Sequence, residues 1–227
     1  MSVTTVNSNV LGVTSERRAG WRRVLAVAAP LPWLLLAASN AVTPDDLGGS
    51  YATQYDAFAD HPAAAGAAVA FAILCAITLV PSAIAMYVAL RSVAGRAATL
   101  IGGLWIVGAC CGAAAASMQL ITYVATQNEI DRASVIALNE AIESSSVYLV
   151  ILPFALSIML GRILLGVVLW RTRMAPRWMA VAIVAAVPVE WVLGAAIGNA
   201  GPALAYVLTA VGFASASVAL TRRSHTA

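Results

Sequence analysis

Charged residues are scarce in this sequence, and lysine is absent. Only 10% of the 227 residues are charged, and all 13 basic residues are Arg. A soluble domain is about 25% charged. The chain is instead 61% hydrophobic, with a mean hydropathy of +0.87. This balance excludes an ordinary soluble domain and predicts a protein that folds with lipid as its solvent.

Cysteine and histidine are also few, which argues against several kinds of site. Cys75, Cys110 and Cys111 all lie inside apolar runs, so we expect small apolar fillers rather than a disulfide framework. Two His in the whole chain do not support a bis-His haem. The sequence also lacks a phosphate-binding loop, an HExxH motif and a nucleophile elbow. We therefore expect no cofactor and no enzymatic activity.

The basic balance does not indicate a nucleic-acid partner. The net charge is +3 and the isoelectric point is about 9.0. The Arg residues, however, lie mainly at the ends of apolar runs, where they orient helices in a membrane. The partner that this pattern predicts is the lipid bilayer.

Apolar runs of membrane-spanning length predict an all-α bundle of six transmembrane helices. The predicted spans are about 24–42, 62–90, 97–126, 147–170, 178–197 and 202–221, and we expect Pro81 to break the second. They form one membrane domain, 21–223, between a disordered N-terminus, 1–20, and a short tail, 224–227. The first run could instead be a signal peptide. We prefer a first span, because it places the charges of the later loops in agreement with the positive-inside rule.

The distribution of charge predicts the orientation of these spans. Eight of the ten acids fall in two long loops, 43–61 and 127–145. With the N-terminus inside, the inner segments hold 11 of the 13 Arg: Arg17, Arg18, Arg22, Arg23, Arg91, Arg96, Arg171, Arg173, Arg177, Arg222 and Arg223. This positive-inside pattern places both termini in the cytoplasm. It also places Tyr206, near the outer end of the sixth predicted span, in the outer aromatic belt. Apolar residues at helical spacing predict a short amphipathic helix in each outer loop.

Two ionisable residues lie inside apolar spans, which makes them the most informative positions in the chain. Arg162 lies about 12 Å from the inner end of its predicted helix and Glu190 about 18 Å from the inner end of the next. A short basic turn joins the two helices, so they are antiparallel neighbours. Because an unpaired charge in a span is costly, we expect the two side chains to meet. Three interpretations remain. The pair is a static contact that fixes helix register, or it is a polar transport centre, or the two side chains do not meet and Arg162 snorkels inward.

Small residues four apart mark two predicted packing stripes. Gly108 and Gly112 form one, which we interpret as bundle packing or, alternatively, a homodimer seam. Ala186, Gly194 and Gly198 repeat on the face that also carries Glu190.

The first outer loop contains the nearest approach to a metal-ligand cluster. Asp56, Asp60 and His61 lie close together in sequence. We interpret them as solvated side chains and only weak candidates for a metal site, since one His is too little for a transition metal.

The hairpin turn carries a resemblance to a known class. The stretch from Leu160 to Trp178, with Trp170-Arg171-Thr172 followed by Pro176-Arg177-Trp178, resembles a turn found in uncharacterised six-span membrane proteins of an actinobacterial type. The resemblance extends over about residues 50–200. It implies a six-helix bundle in a bacterial cytoplasmic membrane and implies no activity.

Two functional hypotheses follow. The first is small-solute or ion/proton transport or binding centred on Arg162 and Glu190. The alternative is a non-catalytic membrane scaffold or accessory subunit that acts through helix faces such as Gly108 and Gly112, as a homo-oligomer or with a membrane partner. The ligand is not readable from the sequence.

Overall fold

The protein is all α-helical in the computed structural model, which describes residues 20–44, 49–145, 149 and 152–222, with side chains up to 218. A helical segment, 20–28, leads into seven further helices. These are α1 (Leu31–Val42), α2 (Tyr51–Asp60), α3 (Pro62–Gln127), α4 (Arg132–Ser144), α5 (Leu152–Thr172), α6 (Arg177–Ile197) and α7 (Ala200–Arg222). The predicted disordered N-terminus, Asp45, Asp46, the start of the predicted fourth span and the C-terminal tail lie outside the described residues.

Five of the described helices are long and apolar enough to cross a membrane. They are Gly20–Val42, which includes α1, then α3, α5, α6 and the Ala200–Val218 part of α7. Proline accounts for the turn at residues 29–30, because Pro30 and Pro32 cannot donate backbone hydrogen bonds to the preceding turn. The chain is therefore a multi-pass helical membrane protein.

Helix α3 contains two of the predicted spans, joined at a kink. Its 66 residues would reach about 100 Å if straight, roughly three times the thickness of a bilayer core. Ala94 breaks it with non-helical angles of φ −150° and ψ 53°. The two arms, 62–93 and 95–127, fold back on each other, since Gly66 lies against Tyr123. The break that we expected at Pro81 is wrong, because the helix continues through that residue.

The long helices form a closed ring in which each packs on the next. Helix α1 contacts α3 and α7, α3 contacts α5, α5 contacts α6, and α6 contacts α7. The last contact is the closest. Gly201 follows the turn between α6 and α7, and an added Cβ there would lie 2.3 Å from the carbonyl carbon of Leu193. Glycine is required at this point because the two backbones touch.

The two acidic loops fold into short helices that pack on each other at one end of the ring. Arg132 at the start of α4 donates from Nε and Nη2 to the two carboxylate oxygens of Asp56 on α2, each at 2.7 Å. The Tyr55 hydroxyl donates to the carbonyl of Ile130 at 2.7 Å. Side chains cap both helices, Ser50 for α2 and Asp131 for α4. These contacts join two acidic loops that are far apart in sequence.

Candidate functional site

Arg162 and Glu190 form a direct ion pair inside the ring of helices. Arg162 Nη2 donates to Glu190 Oε2 at 2.5 Å. The side chain of Arg162 is 3% exposed and that of Glu190 is 20% exposed. The prediction that the two charges meet is therefore confirmed, and neither the snorkelling alternative nor a lipid-facing charge describes the structure.

The register of the hairpin explains why these two residues meet. Helices α5 and α6 are joined by the short turn 173–176, so residues at similar distances from it lie side by side. Arg162 and Glu190 are offset by about three residues, or about 5 Å along the helices. The long side chain of Arg162 spans this offset. Helix α6 stays regular through Pro188, two residues before Glu190.

Tyr206 is a third member of the centre. Its hydroxyl donates to Glu190 Oε1, so each carboxylate oxygen accepts from a different side chain. The α6–α7 turn sets this contact, because Glu190 lies eight residues before Gly198 and Tyr206 eight residues after it. The prediction that Tyr206 lies in the outer aromatic belt is wrong, since the residue is 8% exposed and faces the bundle interior.

An aromatic cluster lies beside the guanidinium of Arg162 and contacts it through two of its rings. Trp33 packs against Trp105, Tyr206 and Phe213, with ring centroids 6.2, 6.4 and 5.0 Å away. The guanidinium carbon of Arg162 lies 5.9 Å from the Trp33 ring and 5.5 Å from the Tyr206 ring. Aromatic faces attract a cation at such distances, and more strongly when water is excluded. Helices α1, α3, α5, α6 and α7 thus all contribute to one centre.

Several buried N–H groups in this centre have no hydrogen-bond partner among the described residues. They are Nε and Nη1 of Arg162 and the indole Nε1 atoms of Trp33 and Trp105. Buried polar groups are nearly always paired, and leaving one unpaired costs about 1–3 kcal/mol. The centre is consequently rich in donors and short of acceptors.

A pocket of about 260 Å³ approaches this centre from the end that carries the acidic loops. It opens between α1, α3 and the start of α2, and its described lining residues include no charged side chain. Its polar lining comes mainly from Ser39, Asn40, Thr43, Gln54 and Gln119. Its inner part reaches Leu36, one helical turn from Trp33, and Cys75, which belongs to the same core as Trp33 and Tyr206.

The predicted packing stripes fall in three different environments. Gly108 and Gly112 face α5 of the same chain, where an added Cβ would lie 2.9 Å from the Ser157 hydroxyl and 2.7 Å from the Phe154 ring, respectively. Ala186 is buried, and Gly194 lies against Pro202. Gly198 instead ends α6 with a φ of 60°, so its conformation and not helix packing explains the glycine.

The three weak metal candidates do not form a cluster. Asp56 is engaged by Arg132, and Asp60 and His61 are exposed at the junction of α2 and α3. The Arg132 hydrogen bonds, aided by its charge, hold the pKa of Asp56 below its ordinary value. Within the described ranges, no group of three His, Cys, Asp or Glu side chains could hold a metal ion.

Residues 24–221 match a family described as a domain of unknown function, DUF4386. The chain belongs to the DUF4386 family. The match covers all the long helices and every residue of the centre. No curated protein and no solved structure matches the chain. The family assignment therefore carries no activity to this DUF4386 chain.

Sequence reasoning missed the aromatic part of the centre, although a signal was present. Trp prefers the membrane interface, yet Trp33 and Trp105 lie well inside their apolar runs. In the structure, Trp33 contacts the buried Arg162 cation, and Trp105 packs against Trp33 and Phe213. The partners of each ring could not be read from sequence, because they come from helices up to 180 residues apart.

Proposed function

We propose that this chain is a transport or binding protein for a small solute, coupled to a proton, rather than an enzyme. Its site is the Arg162–Glu190 centre. The observation that carries the proposal is the set of unpaired donors on Arg162, Trp33 and Trp105. A pair that served only to fix helix register would be expected to satisfy its own hydrogen bonds.

The chemistry of these donors selects the class of solute. Four donor nitrogens without acceptors suit a ligand with acceptor oxygens, such as a small carboxylate or another oxyanion. A metal cation is disfavoured, since both oxygens of Glu190 already accept hydrogen bonds and a guanidinium lies 2.5 Å away. Among the ions that the transport hypothesis allows, the one proposed for Glu190 is therefore a proton.

Charge balance links the solute to the proton. The resting pair is neutral, since one cation faces one carboxylate. An anion that enters next to Arg162 would leave one uncompensated negative charge in a medium of low dielectric constant. Protonation of Glu190 restores neutrality and releases Arg162 to bind the anion. The expected process is thus movement of an anion together with a proton.

The proposed topology supplies a route. We propose six spans with both termini in the cytoplasm of a bacterium, the two arms of α3 serving as separate spans. The 260 Å³ pocket then opens to the outside and leads toward Trp33. Its uncharged, polar lining suits a solute that crosses as a neutral pair of anion and proton.

The scaffold alternative has less support. It relied on the face that carries Gly108 and Gly112, which Ser157 and Phe154 of the same chain already cover. A partner helix would have to displace α5 to reach that face. We therefore favour transport.

Uptake into liposomes that contain the full chain tests the proposal. Radiolabelled lactate, pyruvate and phosphate serve as probes, with and without an inward proton gradient. The wild type is expected to accumulate at least one probe above protein-free liposomes when the gradient is present. Glu190→Gln is expected to abolish the dependence on the gradient.

A double variant separates function from folding. Arg162→Met together with Glu190→Met removes both charges at similar volume, a change that is often neutral for stability. This variant is expected to fold and not to transport, whereas Asp56→Asn at the surface should transport like the wild type. Uptake of every probe at the same rate by the wild type and the double variant would contradict the proposal.

A further inference from the structure

We propose that the groove between α5 and α6 is a binding site for one anionic phospholipid of the inner leaflet. This α5–α6 groove is lined by α5 residues between Ile163 and Arg171 and by α6 residues between Ala180 and Pro188, and it is an open groove with a volume of about 510 Å³. Such a volume is typical of small-molecule sites. The site is distinct from the Arg162–Glu190 centre, so it does not depend on the proposed transport.

The groove faces the membrane and is apolar along its length. Val167 and Val181 on its two sides are 42% and 52% exposed, which places them in contact with lipid. Small side chains at Ala180 and Ala185 keep the space between the helices open, while Gly166 lets α5 approach Val184 closely. Hydrocarbon chains therefore fit the lining.

The length of the groove matches one leaflet. Ile163 and Arg171 are eight residues apart, or about 12 Å along a helix. Half of a bilayer core is about 15 Å thick. A partner helix would need a contact surface along the whole span, so the dimensions favour a lipid chain.

The inner end of the groove is cationic. Arg171 lines it, and Arg177 lies over the Trp170 ring at 5.1 Å from guanidinium carbon to ring centroid. Glu190 is the only acid in residues 152–222, and it is paired with Arg162. Basic pockets at the cytoplasmic ends of spans attract anionic headgroups, and Arg binds phosphate well. The headgroup is thus expected to contact Arg171 and Arg177.

Native mass spectrometry of the full chain tests this site. The protein is purified in mixed micelles that contain equal amounts of phosphatidylglycerol and phosphatidylcholine. The wild type is expected to retain one phosphatidylglycerol in preference to phosphatidylcholine. Arg171→Gln should lower that preference about fivefold, the effect expected of one basic side chain near an anionic headgroup. Ala185→Trp should remove the bound lipid by filling the groove.

Matched controls separate the groove from general effects. Arg96→Gln removes another exposed inner-side Arg, and Val192→Trp adds an indole on an exposed part of α6, and both lie outside the groove. Both controls are expected to retain phosphatidylglycerol like the wild type. Equal retention of the two lipids, or an unchanged preference in Arg171→Gln, would overturn the proposal whether or not Ala185→Trp folds. So would a wild-type dimer that Ala185→Trp dissociates, because the groove would then be an interface between copies.

Discussion

Replacement of Glu190 with Gln is expected to lower the free energy of unfolding by about 3–5 kcal/mol, the usual cost of breaking a buried ion pair. The physical reason is that Arg162, only 3% exposed at its side chain, keeps its charge and loses its counter-ion. Arg is not deprotonated in proteins, so the cost cannot be relieved by loss of a proton. Gln still accepts a hydrogen bond, which leaves charge as the main change.

Arg162→Met is expected to cost less than Glu190→Gln. A carboxylate left without its cation can be neutralised by a proton, and Tyr206 still donates to it. The double variant, Arg162→Met with Glu190→Gln, should cost much less than the sum of the single changes. The expected interaction free energy is about 3 kcal/mol, at the upper end for residues in contact.

The assay is reversible unfolding in mild detergent by titration with sodium dodecyl sulfate, followed by circular dichroism. Glu143→Gln, which removes an exposed acid on α4, is the control and should change the free energy by no more than about 0.5 kcal/mol. Single effects at Arg162 and Glu190 that add within about 0.5 kcal/mol would refute the reasoning, because residues in direct contact do not behave independently.

Two further predictions concern packing and pH. Gly161→Ala places a Cβ 2.3 Å from the indole nitrogen of buried Trp105, and the overpacking should cost about 1–3 kcal/mol in the same unfolding assay. Gly103→Ala is the control, because a Cβ added there has no neighbour within 4 Å. Equal losses of stability in the two variants would contradict the close packing of Gly161 on Trp105. The Asp56–Arg132 pair should be fully formed above the ordinary pKa of Asp and be lost only as the pH falls through the lowered pKa of Asp56. Carboxyl NMR titration should give an ordinary pKa in Arg132→Gln, and an ordinary pKa in the wild type would contradict the pairing.

The pair itself was predictable from sequence because of its surroundings. Arg162 and Glu190 are each the only charge in an apolar run, and a short turn makes their helices neighbours. Because an unpaired charge in lipid is costly, pairing of these two residues is the favoured arrangement. Tyr206 was misplaced because a Tyr near a span end has two common roles, interfacial anchor and buried donor. Sequence position does not distinguish them.

The break in α3 shows a similar limit. The sequence predicted two spans separated at Arg91 and Arg96, and those charges do lie beside the irregular residue Ala94. Pro81 was a misleading signal, since a transmembrane helix can continue through proline when neighbouring groups satisfy the freed backbone. The Asp56–Arg132 pair could not be predicted, because nothing in either loop specifies which acid a distant Arg will meet.

By itself, the sequence determined that the chain is a helical membrane protein and that one Arg and one Glu are buried as a pair. Each of these follows from the free energy of placing a side chain in lipid, which is a property of residue and position along a helix. Only the tertiary structure decided what surrounds the charges. The ring of helices brings the Trp33 and Tyr206 rings to Arg162, packs Trp105 and Phe213 against Trp33, and leaves N–H groups there without acceptors. Contacts of this kind depend on the rotation and register of the packed helices. An apolar sequence is compatible with many rotations and registers, and close packing selects one of them.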